Sequence, residues 1–341
     1  MTDVGDARLA VAAASIREDA LFIVRTAHAS QRLGVEQRAV MSMMLLPSFA
    51  LITHESRQWL QHHAPDIARQ LPPGEIDRVG TIRHAAKWLG ASKQGVAAGL
   101  DTFRQMQRNH AQQFLGNTPY RWARALESDL GLYRHDGVDV LNTHLLGLVL
   151  GIQPLEELGP LIRTATETIV GQANLLTSDG ADGPSFLDGI GAISDRDVRS
   201  DTYYRTSHRD DLAVAGYLHV LWCSLAWLRL LQVVDPDDAG TVFKLKFAGL
   251  FHVTQSLKLL EPDLIAGIGE LGDGDVARRL RNELVHYTPH TQTPLEALQL
   301  WRPKQGLVEH AYGQEMSAVA EQLATTIDRL HAKLGASLRR E

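Results

Sequence analysis

Arg281 and His286 stand five residues apart in the segment Leu280-Arg281-Asn282-Glu283-Leu284-Val285-His286-Tyr287. An imidazole moves protons near neutrality, and a guanidinium grips two phosphate oxygens in a fork, so this pair is the minimal equipment for breaking a phosphodiester without a metal ion. Asn282 lies four residues before His286 and is therefore its neighbour on a helix, within reach of the ring or of a bound phosphate. Arg278 and Arg279 raise the local positive potential, and Tyr287 adds an aromatic face next to the histidine. The turn residues Gly272, Asp273 and Gly274 precede the motif, Asp275 is placed to cap a helix beginning at Val276, and Pro289 disfavours helical geometry at Thr288. His286 is thus expected in the last helical turn, where the carbonyl end of the dipole favours imidazolium. Arg281 and His286 fall roughly 140° apart around such a helix. The long arginine must reach round to share a pocket, more readily if a second copy of the helix supplies part of the wall. Leu280 and Leu284, four apart, give the helix an apolar side for docking.

The elements that must position these groups read as helices. Periodicity is helical nearly everywhere, strand-like alternation over a useful length is not apparent, and the expected class is all-α. Met316, Val319, Leu323, Ile327, Leu330 and Leu334 mark one long amphipathic helix at the end of the chain. Thr118-Pro119 and Asp235-Pro236 look like helix starts, and Pro47 is expected to break or kink the apolar run from Met41 to Ile52. Ala213 to Val234 is long enough to span a bilayer, but His219, Ser224, Arg229 and Gln232 interrupt it and both flanks are acidic, so it reads as a buried bundle helix. With 341 residues, two cores are expected: helical-bundle domains at 1–177 and 205–341, separated by a Gly- and Asp-rich linker at 178–204. A composition of 44% hydrophobic and 22% charged residues excludes disorder for most of the chain. The single cysteine, Cys223, excludes an internal disulfide, and the Met-Thr-Asp-Val start lacks a signal-peptide pattern, so a cytoplasmic location with no membrane association is expected.

Arg281-Asn282-Glu283-Leu284-Val285-His286 resembles the Arg-polar-three-residue-His signature of HEPN domains, helical bundles that include many metal-independent endoribonucleases of toxin-antitoxin, abortive-infection and CRISPR systems. The resemblance spans roughly residues 205 to 337; the N-terminal half resembles no family. It implies that Arg281 binds and stabilises the scissile phosphate, His286 transfers protons, and Asn282 orients them. It also implies a ribose 2′-hydroxyl nucleophile, cyclic-phosphate and 5′-hydroxyl products, no cofactor or metal, a homodimer that pairs two motifs in one RNA-cleaving site, and an antitoxin or regulatory partner. Arg278, Arg279 and Tyr287 would bind RNA beside the motif. The Arg-to-His spacing alone recurs by chance, as Arg57 to His62 illustrates, so the added Asn, the Leu-Val pair and the helix-end position carry the specificity.

A net charge of −6 argues against a surface coated with nucleic-acid contacts, yet Arg78 to Arg124 holds eight basic residues against Asp101 alone. Arg104 and Arg108 in this stretch are expected to contact RNA, together with the neighbouring mixture of Phe103, His110, Tyr120, Arg121 and Trp122. This stretch also supports the alternative reading, a non-catalytic helical interaction or regulatory protein that binds nucleic acid. Ile82 to Leu100 is similar to a helix-turn-helix, although Gly95 and Gly99 weaken its second helix. His54-Glu55 begins like a zinc-protease motif but has Gln58 where the second ligand belongs, the aspartates of the linker lack calcium-loop spacing, and Cys223 reads as an inert filler.

Overall fold

The computed structural model describes residues 4–85, 95–150, 155–177, 183–205, 210–269 and 271–338. The helices in chain order are α1 (Val4–Ser30), α2 (Val35–His63), α3 (Pro65–Ala68), α4 (Ile76–Ala85), α5 (Gly95–Phe114), α6 (Thr143–Leu150), α7 (Leu155–Leu176), α8 (Ser200–Arg205), α9 (Leu212–Leu230), α10 (Ala239–Leu260), α11 (Gly274–His286), α12 (Pro303–Tyr312) and α13 (Met316–Leu338). The all-α expectation holds for the bulk of the chain. The terminal amphipathic helix is α13, whose Val319, Leu323, Ile327, Leu330 and Leu334 are all buried. The apolar run from Ala213 becomes α9, a mostly buried helix capped by Asp211, whose carboxylate accepts from the Ala213 and Val214 amides. It packs on α10, α13 and the sheet described next. α2 and α9 are both long and apolar enough to cross a membrane, and here both are built into the protein core.

One correction is a three-stranded antiparallel sheet of order β2-β1-β3, with β1 at Leu130–His135, β2 at Val138–Asn142 and β3 at Ile193–Val198. Asp136 and Gly137 link β1 to β2, both with positive φ (49° and 79°), the backbone that a two-residue hairpin demands and that Asp-Gly adopts at low cost. Its strands are only five or six residues long, which hid them among helical periodicity. A second correction concerns the expected linker. β3 pairs with β1, and the 3₁₀ turn Phe186–Gly189 buries Phe186 against Phe22 of α1 (centroids 5.8 Å) and Trp227 of α9 (5.9 Å). One main buried cluster consequently runs from Val11 to Leu334, drawing on both sides of 178–204, in place of the two expected cores. Pro47 does not end its helix, since α2 continues through it to His63. Asp235-Pro236 does open a 3₁₀ turn leading into α10, whereas Thr118-Pro119 is followed by an irregular loop and the short 3₁₀ turn Ala123–Leu126. Most of the turn and first-helix residues of the helix-turn-helix reading, 86–94, lie outside the described residues.

Three contacts position α11. Ala277, Leu280 and Leu284 enter the main cluster, as expected of its apolar side, and each fully buried leucine stabilises this docking by about 2 kcal/mol. Val285 packs with Leu51 of α2 and Ala248 of α10 in a small cluster of its own. Tyr287 closes the helix in the left-handed conformation (φ 55°, ψ 35°).

Candidate functional site

The motif helix starts two residues earlier than the sequence suggests, at Gly274 with Asp273 as its N-terminal flanking residue, and His286 is its last residue. His286 Nδ1 donates to Glu55 Oε2 at 2.6 Å, across 231 positions of sequence. Glu55 is buried on α2, and its other oxygen, Oε1, pairs with Arg83 of α4. His54 lies on the same side, its Nδ1 3.9 Å from Oε1. α4 can come this close to α2 because Gly80 has no side chain: a Cβ there would sit 3.2 Å from the His54 ring. Burial pushes the Glu55 carboxyl up, but the hydrogen bond and charge of His286, with Arg83 and His54, outweigh it and hold the group below the usual carboxylate range. The ring of His286 is thereby fixed with the proton on Nδ1, while Nε2 makes no hydrogen bond among the described residues and the side chain stays one-third exposed.

Arg281 is half-buried beside this pair. Its Nη2 donates to His252 Nε2 of α10 at 3.2 Å, its Nη1 to Asn282 Oδ1 at 2.8 Å, and it lies 5.9 Å from the centre of the Phe251 ring. Burial lowers the guanidinium pKa, the charge of Glu55 opposes that shift, and Arg83 adds to it, which places all three groups in one electrostatic neighbourhood. Arg281 forms no ion pair with a carboxylate among the described residues. Arg281 and Arg83 bring two guanidiniums to the one carboxylate of Glu55, a balance that an anionic ligand would correct. Asn282 turns toward Arg281, not toward His286 as the four-residue spacing suggests.

The other expected RNA contacts divide. Arg278 is exposed and paired with Asp275 (3.2 Å), and Arg279 is exposed on the same helix. Tyr287 is a correction: it is buried, its hydroxyl donates to Asp19 Oδ2 at 2.6 Å, and Lys244 Nζ lies 3.8 Å above its ring, so it cannot meet RNA. Asp19 is itself fully buried, receiving Lys244 (2.6 Å), Lys304 (3.0 Å) and the Thr241 hydroxyl (2.7 Å); this network fastens the residue after His286 to α1, α10 and α12. Arg104 and Arg108 sit on α5, which packs on α9 and α6, whereas α11 packs on α10, α12 and α2. Arg104 is engaged by Asp101 (2.6 Å) and Asp211 (2.5 Å); Arg108 is exposed. The control pair forms no second half-site, because Arg57 donates to the Pro72 carbonyl at 2.8 Å and His62 points outward near His63.

Sequence reasoning gave no site role to Glu55, Arg83 or His252. His54-Glu55 stood out only as a failed metal motif, and nothing in the local pattern of α2 or α4 announces a partner more than 200 residues away. Cys223 is buried as expected, but among polar groups: His219 Nδ1 is 3.7 Å away and receives Asn142 Nδ2 at 2.9 Å, while His219 Nε2 donates to Asp139 at 3.0 Å. Burial pushes the thiol well above its usual range, which keeps it protonated and unreactive. Comparison of the chain with protein-family models, curated proteins and solved structures finds no match to any of them.

Proposed function

We propose that the protein is an endoribonuclease whose single site is assembled within one chain, from Arg281 and His286 of α11, Glu55 of α2 and Arg83 of α4. The observation that carries this reading is that one helix bears both a half-buried guanidinium, without a carboxylate ion pair among the described residues, and an imidazole oriented by a buried carboxylate. Phosphate supplies the missing negative charge at Arg281, in the bidentate geometry for which guanidinium is suited. His286 Nε2 then faces the ribose. It removes the proton of the 2′-hydroxyl as the 2′-oxygen attacks phosphorus, the bond from phosphorus to the 5′-oxygen breaks, and the leaving oxygen takes a proton from solvent. The products are a 2′,3′-cyclic phosphate and a 5′-hydroxyl, the outcome implied by the likeness of Arg281–His286 to the HEPN signature. Glu55 stabilises the imidazolium formed in that step, and Arg281 and Arg83 offset the negative charge that grows on the phosphoryl oxygens.

Glu55 of α2 and Arg83 of α4 supply part of the wall beside His286 from within the same chain. Pairing of two motifs across a dimer is therefore not part of this proposal, and the specific activity should be constant on dilution. The test is cleavage of an end-labelled single-stranded RNA in EDTA, with product ends identified by phosphatase sensitivity. His286→Ala and Arg281→Ala should each abolish it while leaving the circular dichroism spectrum unchanged. Intact RNA with the folded wild-type protein would remove the proposal, and a specific activity that falls on dilution would return the site to a dimer.

A further inference from the structure

Among the exposed apolar side chains, two aromatic ones stand close together on one loop. Tyr120 is 64% exposed and Trp122 73%, with ring centroids 6.3 Å apart and planes 32° from parallel. Arg121 between them and Arg124 beyond them are also exposed, and the segment from Gly116 to Leu126 contains no acidic residue. Exposing this much indole and phenol surface to water is unfavourable unless something covers it. The neighbouring aromatic and basic residues of the same stretch behave otherwise: Phe103 is buried in the core, and His110 packs between Phe114 and His144.

The loop is held in shape rather than left loose. Glu127 accepts from the backbone amides of Gly116 (2.5 Å) and Thr118 (2.7 Å), closing the loop across its base, and these bonds pull its carboxyl down to about 2. Arg124 Nε donates to the Thr118 carbonyl at 3.1 Å, and Arg199, at the end of β3, donates to the Arg124 carbonyl at 3.3 Å. Arg121 forms no ion pair among the described residues. A loop held in this way loses little backbone freedom when a flat ligand stacks on its rings, and an arginine between them without an ion pair among the described residues is placed for a backbone phosphate.

We infer that Tyr120 and Trp122, with Arg121, form a stacking platform for unpaired bases of a single-stranded nucleic acid. Stacking suits single strands because duplex bases present no free face, and the alternation of aromatic with basic residues matches a polymer that alternates bases with phosphates. The inference rests on the proposed function only for taking RNA as the strand, and it does not require cleavage.

The experiment uses the full chain and a fluorescein-labelled 2′-O-methyl oligouridylate of twelve residues, which lacks the nucleophile and stays intact, read by fluorescence anisotropy. Trp122→Ala and Tyr120→Ala should each weaken binding by about 5- to 150-fold, the range of a lost base–aromatic stack, while Trp122→Phe retains most of it. Arg121→Ala should lower the slope of log affinity against log salt by about 0.7. A duplex of equal length should bind with no dependence on Trp122. Equal affinities of wild type, Trp122→Ala and Tyr120→Ala would overturn the inference. So would a wild type that ignores the oligonucleotide but binds phosphatidylserine vesicles through Trp122, the mark of a membrane contact. Loss of RNA cleavage with intact oligonucleotide binding would dispose of the nuclease proposal and leave the platform standing; cleavage with unaltered binding by both aromatic variants would do the reverse.

Discussion

Replacing Glu55 by glutamine tests the site most sharply, because this residue hydrogen-bonds His286 directly and touches the proton-transferring group without itself meeting RNA. The amide keeps the size of the side chain but loses the charge that stabilises imidazolium and pairs with Arg83. If His286 is the proton-transferring group, the rate at saturating RNA should fall by about 10²- to 10⁴-fold, the span that a well-oriented general base contributes, with KM nearly unchanged. The same substitution leaves Arg83, only 9% exposed, without its counter-ion, and breaking one side of a buried pair costs about 3 to 5 kcal/mol of stability. The two effects separate in the double variant Glu55→Gln, Arg83→Met, which fills the space with an apolar chain and should regain most of the lost stability but none of the lost rate. Urea unfolding by circular dichroism measures the first, and single-turnover cleavage in EDTA the second. In wild type, Glu55 is held below its ordinary value of 4.5, so its contribution to stability is present above that pH and is lost only as the pH falls through its lower folded value. Between pH 5 and 8 the rate profile should therefore carry no titration of this carboxyl. The reasoning is refuted if Glu55→Gln, shown to be folded, cleaves at the wild-type rate.

Other substitutions probe the frame around the site. Asp19→Ala strands Lys244 in the core, while Lys304 keeps Glu18, and should cost about 3 to 5 kcal/mol, read as a lowered urea midpoint or as failure to accumulate soluble protein. Tyr287→Phe removes one of four groups on Asp19 and should cost about 1 to 3 kcal/mol, with oligonucleotide affinity of the folded fraction unchanged; a selective loss of affinity would reinstate Tyr287 as a contact to RNA. Asp238 is buried, and desolvation raises its carboxyl from 3.8 to about 6, so the folded state holds that proton more tightly and stability should fall as pH rises across this window. Asp238→Asn should remove a decline of up to about 3 kcal/mol between pH 4 and 6.5, measured by urea titration at each pH. Gly80→Ala should push α4 from α2 and lower cleavage more than stability, since the added methyl meets the rim of the His54 ring at 3.2 Å.

Local pattern carried some of this molecule and geometry the rest. The amphipathic spacing of Met316 to Leu334 predicted α13, and Leu280 with Leu284 predicted the docking side of α11, because a 3.6-residue period is written directly into which positions are apolar. The hairpin is written in the sequence too, since Asp136-Gly137 between Leu-Gly-Leu-Tyr-Arg-His and Val-Asp-Val-Leu-Asn is a strong short-range turn signal, but helical periodicity on both sides masks it. The boundary at 178–204 failed for a different reason. Glycine and aspartate composition described the backbone of that segment correctly as non-helical, but a single buried ring, Phe186, decides whether such a segment separates two cores or closes one. Tyr287 shows the same limit, since a tyrosine after a helix-end histidine reads alike whether its hydroxyl meets water or Asp19.

The site itself exposes what a linear motif leaves out. Arg281 and His286 diverge by roughly 140° around their helix, so the spacing alone does not bring them together. The chain reconciles them by adding a third party whose charge reaches both: Glu55 hydrogen-bonds one and attracts the other, while Arg83 prevents the carboxylate from neutralising Arg281 outright. Among the described residues Glu55 forms its guanidinium ion pair with Arg83 and none with Arg281. Arg83 engages Glu55 from α4, in the half of the chain for which the motif made no forecast. A site of this kind is specified by which helices pack together, here by the close approach that Gly80 permits, as much as by the residues that carry the chemistry.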